Sequence, residues 1–144
     1  MKISLGRKSA HVLGTAVATA GLVLSIGAGT AAAGPSGVRF DVGPKLSDGS
    51  REIDVYLNNK YAGYGKWTAN GDTLTAHDSA ADGYGIGAYL GTNPVREAGT
   101  FGKSSPFTKN VGGDLSEDKP YNFWVCIGSN AAGLTCSNVY SVTS

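Results

Sequence analysis

The stretch Tyr121-Asn-Phe-Trp-Val-Cys126-Ile-Gly-Ser-Asn-Ala-Ala-Gly133-Leu-Thr-Cys136-Ser-Asn-Val-Tyr-Ser-Val-Thr-Ser144 decides the fold class. In its first run Tyr121, Phe123, Val125 and Ile127 share one face and Asn122, Trp124 and Cys126 the other, the period of two that marks a half-buried strand. The second run, Leu134 to Val142, alternates less regularly. Between them Ser129-Asn-Ala-Ala-Gly133 carries the turn residues of a short hairpin loop. With Ser129 opposite Gly133, Cys126 falls directly across from Cys136 on the same face, within reach of a disulfide. A slip of one residue would destroy that match. Closing a loop of about eleven residues would stabilise the domain by about 2–3 kcal/mol on the chain-entropy account.

The segment Asp114-Leu-Ser-Glu-Asp-Lys-Pro-Tyr121-Asn-Phe-Trp-Val-Cys-Ile, with Asn130-Ala-Ala-Gly133 and Ser137-Asn-Val-Tyr-Ser-Val-Thr143, resembles the final corner and last two strands of a fibronectin type III domain. A Leu and a Pro ahead of an aromatic-alternating strand, the Asn-Ala-Ala-Gly turn and the closing Ser-Asn-x-x-Ser-Val-Thr carry the likeness. It implies an immunoglobulin-like antiparallel β-sandwich. Gly71-Asp-Thr-Leu-Thr-Ala-His-Asp-Ser-Ala-Ala-Asp-Gly-Tyr84 is similar to a segment of small secreted β-domain proteins of filamentous actinobacteria. In that group a Cys often stands at the His77 position, so the resemblance implies that one staple of the group is missing here. It implies export and a β fold, and no particular activity.

Residues 1–33 read as a signal peptide. Lys2, Arg7 and Lys8 form a basic start, Val12 to Ala28 is an uncharged apolar run, and Ala31-Ala32-Ala33 offers the small-x-small pattern of a cleavage site. An uncleaved anchor fits less well, because the run is short of the roughly twenty residues that a span needs and no stop-transfer cluster follows. The expected product is a single secreted domain, residues 34–144. It holds nine Lys/Arg against eleven Asp/Glu, a net charge near −2, which argues against nucleic-acid or anionic-membrane partners that need a clustered positive field. Two cysteines in an exported chain read most simply as one disulfide. Seventeen glycines scattered at turn positions among short apolar runs indicate an all-β chain.

Along that domain, Val38-Arg-Phe-Asp-Val42 reads as a first strand and Glu52-Ile-Asp-Val-Tyr-Leu57 as the cleanest alternation. Asn58-Asn59 predicts a tight turn into Tyr61-Ala-Gly-Tyr-Gly-Lys-Trp67. Asn70-Gly71 predicts a second one, which pairs Trp67 with Leu74. Tyr84, Ile86, Ala88 and Leu90 then share a face opposite Gly85, Gly87 and Tyr89. Residues 91–114 are the least regular part, broken by Pro94 and Pro106, with Ala98 to Phe101 as a short strand. Seven or eight strands in two sheets fit this spacing of turns.

No residue pattern predicts catalysis, a metal site or a cofactor. His77 is the one histidine of the domain, and its neighbour Asp78 points to the opposite face of a strand, where it cannot orient the ring. Asp78-Ser-Ala-Ala-Asp82-Gly83 superficially suggests a calcium loop, but Ala80 fills a ligand position and Tyr89 stands where the bidentate acid belongs. Local Asp turns explain the same residues. The remaining signal is aromatic: Tyr56, Tyr61, Tyr64, Trp67 and Tyr89 are the expected exposed surface, of the residue types that make protein interfaces and sugar platforms. The expectation is a monomeric, non-enzymatic binding or structural module outside the cell, first of all a protein-binding adaptor. The alternatives are a carbohydrate- or cell-wall-binding module that uses those Tyr and Trp rings, and a protease inhibitor that offers Arg96.

Overall fold

Two tight reversals lay out the first half of the chain. Asn58 and Asn59 both take positive φ, at 50° and 63°, a conformation that Asn tolerates better than most residues. They connect β2 (Arg51–Leu57) to β3 (Lys60–Thr68). Asn70-Gly71 turns β3 into β4 (Thr73–Asp78), and Trp67 faces Leu74 as the spacing predicts. The computed structural model describes residues 32–144, so all but the last two residues of the expected leader, residues 1–33, lie outside the described residues.

β1 (Val38–Val42) pairs with β2, and β5 (Gly85–Leu90) with β6 (Arg96–Gly99). β7 (Phe107–Val111) returns to β4, while β8 (Pro120–Ser129) pairs with β5 on one edge. Its other edge takes both β9 (Gly133–Cys136) and β10 (Tyr140–Thr143). Every pairing is antiparallel. The first sheet runs β1-β2-β3-β4-β7 and the second β10-β8-β5-β6, with β9 beside β8. The described residues thus form an all-β, two-sheet sandwich. It has ten strands among the described residues rather than seven or eight. The additions are β7, which follows Pro106, and the division of the last run into two.

That division has a physical reason. Cys136 faces Cys126 while Tyr140 faces Phe123, so one extra residue is taken up between β9 and β10. Ser137 holds the irregularity: its N–H donates to the Val125 carbonyl at 2.9 Å, and its Oγ accepts from the Val125 N–H at 3.1 Å. The shift of one residue turns Tyr140 and Val142 toward the core, where the unbroken register would leave them facing outward. Cys126 and Cys136 form the disulfide that the hairpin register predicts.

The core is built from the inward faces of both sheets. Ile53, Val55, Trp67 and Leu74 meet Ile86, Leu90, Phe123, Val125, Ile127 and Val142, all fully buried. The sheets approach closely at Gly65, where a Cβ would lie 2.3 Å from Val125 Cγ2 and 3.2 Å from Ala88 Cβ. Gly65→Ala should therefore overpack this contact and lower stability by about 1–3 kcal/mol, read as a drop in the urea midpoint. Cys136→Ser should lower the midpoint by about 2–3 kcal/mol equivalent without abolishing the fold. An unchanged midpoint would mean that the staple is energetically idle.

Candidate ligand-binding surfaces

The five aromatic residues expected at the surface divide among three places. Tyr56, Tyr61 and Tyr64 stand on the outer face of the first sheet. A bulge in the β2–β3 pairing makes this so: Val55 faces Gly63 but Tyr56 faces Tyr61, which leaves Ala62 as the extra residue. Without it Tyr61 and Tyr64, three positions apart, would point to opposite faces. No such irregularity separates Tyr64 from Trp67, so Trp67 points inward. The expectation of an exposed Trp67 is corrected: it is 0% exposed, and its Nε1 donates to the Thr143 carbonyl at 2.9 Å. Tyr89 lies on the outer face of the second sheet, on the other side of the sandwich.

The first-sheet face is aromatic but uneven. Tyr56 and Tyr61 meet edge to face, with centroids 5.5 Å apart and planes at 70°. Tyr64 and His77 are tilted by 31°, and the Arg39 guanidinium covers the Tyr56 ring at 4.1 Å. His77 Nδ1 is 2.7 Å from Thr108 Oγ1. Its ring is on the outer face and the Asp78 side chain is buried on the inner one, as alternation requires. Burial and the carboxylates of Asp54 and Glu52 push the Tyr61 phenol up to about 12.

The second-sheet face is arranged differently. Tyr89 faces Trp124 across the β5–β8 pair, and their rings stack with centroids 5.4 Å apart and planes within 8°. Phe101 continues the strip. A Cβ on Gly85, Gly87 or Gly99 would meet its ring atoms at 2.9 to 3.0 Å, so the ring lies down across three glycines of β5 and β6. Tyr89 leans over the same floor, its Oη only 2.7 Å from where a Gly87 Cβ would stand. Only side-chain-free positions let two rings lie this close to the backbone. Trp124, Tyr89 and Phe101 are each half-buried, so part of each ring meets solvent. The Tyr89 hydroxyl is 3.4 Å from Glu97 Oε1, and burial, with the Glu97 charge second, pushes it up to about 12.

Beyond Phe101 the strip runs into an open cleft of about 540 Å³ at one end of the sandwich, walled by Phe101 and Tyr84 with Lys103, Ser104 and Asn130 at its rim. Asp78 anchors that end from below. Its Oδ2 accepts from Ser105 Oγ at 2.5 Å and its Oδ1 from the Ala80 N–H at 3.1 Å, and burial raises its carboxyl above the usual carboxylate range. Asp82 likewise accepts from the Tyr84 N–H at 3.0 Å. Both acids of the apparent calcium loop are thus engaged in local turns. Arg96 folds back onto the protein, donating to the carbonyls of Asp72 at 2.8 Å and Gly113 at 3.2 Å.

Phe101 and Trp124 were not among the residues singled out in the sequence. Alternation places Trp124 opposite the core side of β8, which is a usable signal, but its adjacency to Tyr89 depends on the pairing of β5 with β8. Comparison of the chain with protein families, with curated proteins and with solved structures finds no match in any of the three.

Tyr61 and Tyr89 give this description a spectroscopic test. An ultraviolet titration should show two phenols ionising near pH 12. Tyr89→Phe should remove one of them, whereas loss of an ordinary phenol near pH 10 would contradict the half-buried placement beside Glu97.

Proposed function

We propose that the chain is a secreted, non-catalytic binding module whose second sheet holds sugar rings of an extracellular or cell-wall glycan. The observation that carries this reading is the strip Trp124–Tyr89–Phe101, its first two rings parallel and stacked, laid on a glycine floor and leading into a cleft with hydroxyl, amide and ammonium groups at its rim. The apolar face of a pyranose stacks on such rings while its hydroxyls need polar partners at the edge. The first-sheet aromatics give a pyranose less to lie on, because Tyr56 and Tyr61 meet edge-on and a guanidinium covers the Tyr56 ring. Arg96, bound to two carbonyls, lends the inhibitor reading no support.

The immunoglobulin-like reading belongs with this proposal. The order β10-β8-β5-β6 matches a G-F-C-C′ sheet and β3-β4-β7 an A-B-E sheet, with β1 and β2 as an added hairpin. Export is supported by the leader sequence and is in keeping with the disulfide.

The test is retention of residues 34–144 on insoluble chitin, cellulose and peptidoglycan, compared with Trp124→Ala and Phe101→Ala. Each variant should weaken retention about tenfold or more, equivalent to about 1.4 kcal/mol. Bound glycan should also shield one of the two tryptophans from acrylamide, since Trp67 is already inaccessible. Retention that survives both substitutions, or no retention on any of the three, sinks the proposal.

A further inference from the structure

β1 is the outermost strand of the first sheet, with β2 as its only strand neighbour among the described residues. The flanking hydrogen bonds fix which way its backbone faces. Gly43 N–H donates to the Glu52 carbonyl and Asn58 N–H to the Gly37 carbonyl, both at 2.9 Å. In an antiparallel ladder the bonded pairs alternate, so Arg39 and Asp41 bond to β2 as well. The N–H and C=O groups of Val38, Phe40 and Val42 therefore face outward along the open edge.

The sequence of this edge, Val38-Arg39-Phe40-Asp41-Val42, reads the same in both directions apart from the sign of its charges. Two copies aligned antiparallel about Phe40 would place Val38 opposite Val42, Phe40 opposite Phe40 and Arg39 opposite Asp41. The residues with outward-facing backbone groups become the hydrogen-bonded pairs. Arg39 and Asp41 become the non-bonded pairs, in which side chains approach most closely. Only this register satisfies backbone and charge together: a slip of one residue puts the wrong backbone groups in line, and a slip of two sets Asp41 against Asp41 or Arg39 against Arg39.

The charges on the outer face favour the same arrangement. Asp41 stands directly across from Asp54 on β2, a like-charge pairing that disfavours a sheet unless a cation is near. Within one copy that cation is Arg39, which ion-pairs with Asp41 from two positions along the strand while its guanidinium covers Tyr56. In the paired arrangement the Arg39 of the second copy completes the rung Asp54–Asp41 from the other side. Charged residues on an edge strand ordinarily discourage pairing with other chains. Here opposite charges alternate about a centre, so they discourage every partner except a second copy in one register.

We propose that the partner of this edge is a second copy of the same chain, joined through β1 on a two-fold axis at Phe40 into one continuous ten-stranded sheet. The contact is a single five-residue strand per copy, so the dimer is weak and reversible, with a dissociation constant of about 0.1 mM. Both outer faces of the second sheets stay uncovered, and the proposal stands independently of the glycan reading.

Sedimentation equilibrium of residues 34–144 should show a monomer–dimer equilibrium. Arg39→Asp and Asp41→Arg, each alone, should weaken self-association about tenfold or more, because each sets like charges opposite one another. Mixing the two variants in equal amounts should restore dimer as a heterodimer, which also shows that both variants are folded. In amide exchange by NMR, Val38, Phe40 and Val42 should gain protection with rising concentration while Arg39 and Asp41 stay protected throughout. A monomer at all concentrations overturns the proposal. So does a dimer that ignores both charge reversals, or one whose formation leaves the Val38, Phe40 and Val42 amides unchanged.

Discussion

The two sheets meet closely at Gly65 against Val125, and the packing around Trp67 depends on that approach. With 2.3 Å between Val125 Cγ2 and the position of a Gly65 Cβ, β3 and β8 lie nearer than two ordinary side chains would allow. That approach buries Val125 and Ala88 completely and leaves room beside Gly65 for Trp67, two positions along the same face of β3. Trp67 in turn ties the first sheet to the last strand through Thr143. A small residue at the centre and a large one at the flank is how facing layers reach native density.

Which aromatic rings become surface follows from two irregularities of a single residue each. The extra residue at Ala62 brings Tyr61 round to the side of Tyr64. The one taken up between β9 and β10 brings Tyr140 and Val142 inward. In a structure with a period of two, such a shift exchanges core and solvent faces for everything beyond it. The surface is therefore fixed less by how many aromatic residues the chain has than by where its ladders lose register.

The two outer faces then differ in kind. On the first sheet, side chains of ordinary size stand up from every strand and the rings tilt against one another and against Arg39 and His77. On the second, glycines at positions 85, 87 and 99 remove the neighbours that would hold the rings upright, and Phe101 and Tyr89 lie down. The lying-down rings are a property of this floor. On the proposed reading they are the surface that takes a sugar ring, while the first sheet offers charge and an open strand edge.

The sequence by itself determined the all-β class, the staple between Cys126 and Cys136, the turns at Asn58-Asn59 and Asn70-Gly71, and the inward faces of β5 and β8. These follow from local rules: alternation, turn chemistry and hairpin register act between residues close in the chain. Tertiary structure alone decided that Trp67 is core, that Trp124 and Tyr89 are neighbours, that Phe101 lies over the glycines of β5, and that β1 forms an edge. Each of these depends on which strands pair across long separations and on where one residue is gained. A local pattern carries no information on either, because the energy that selects them comes from closing two sheets around a common core.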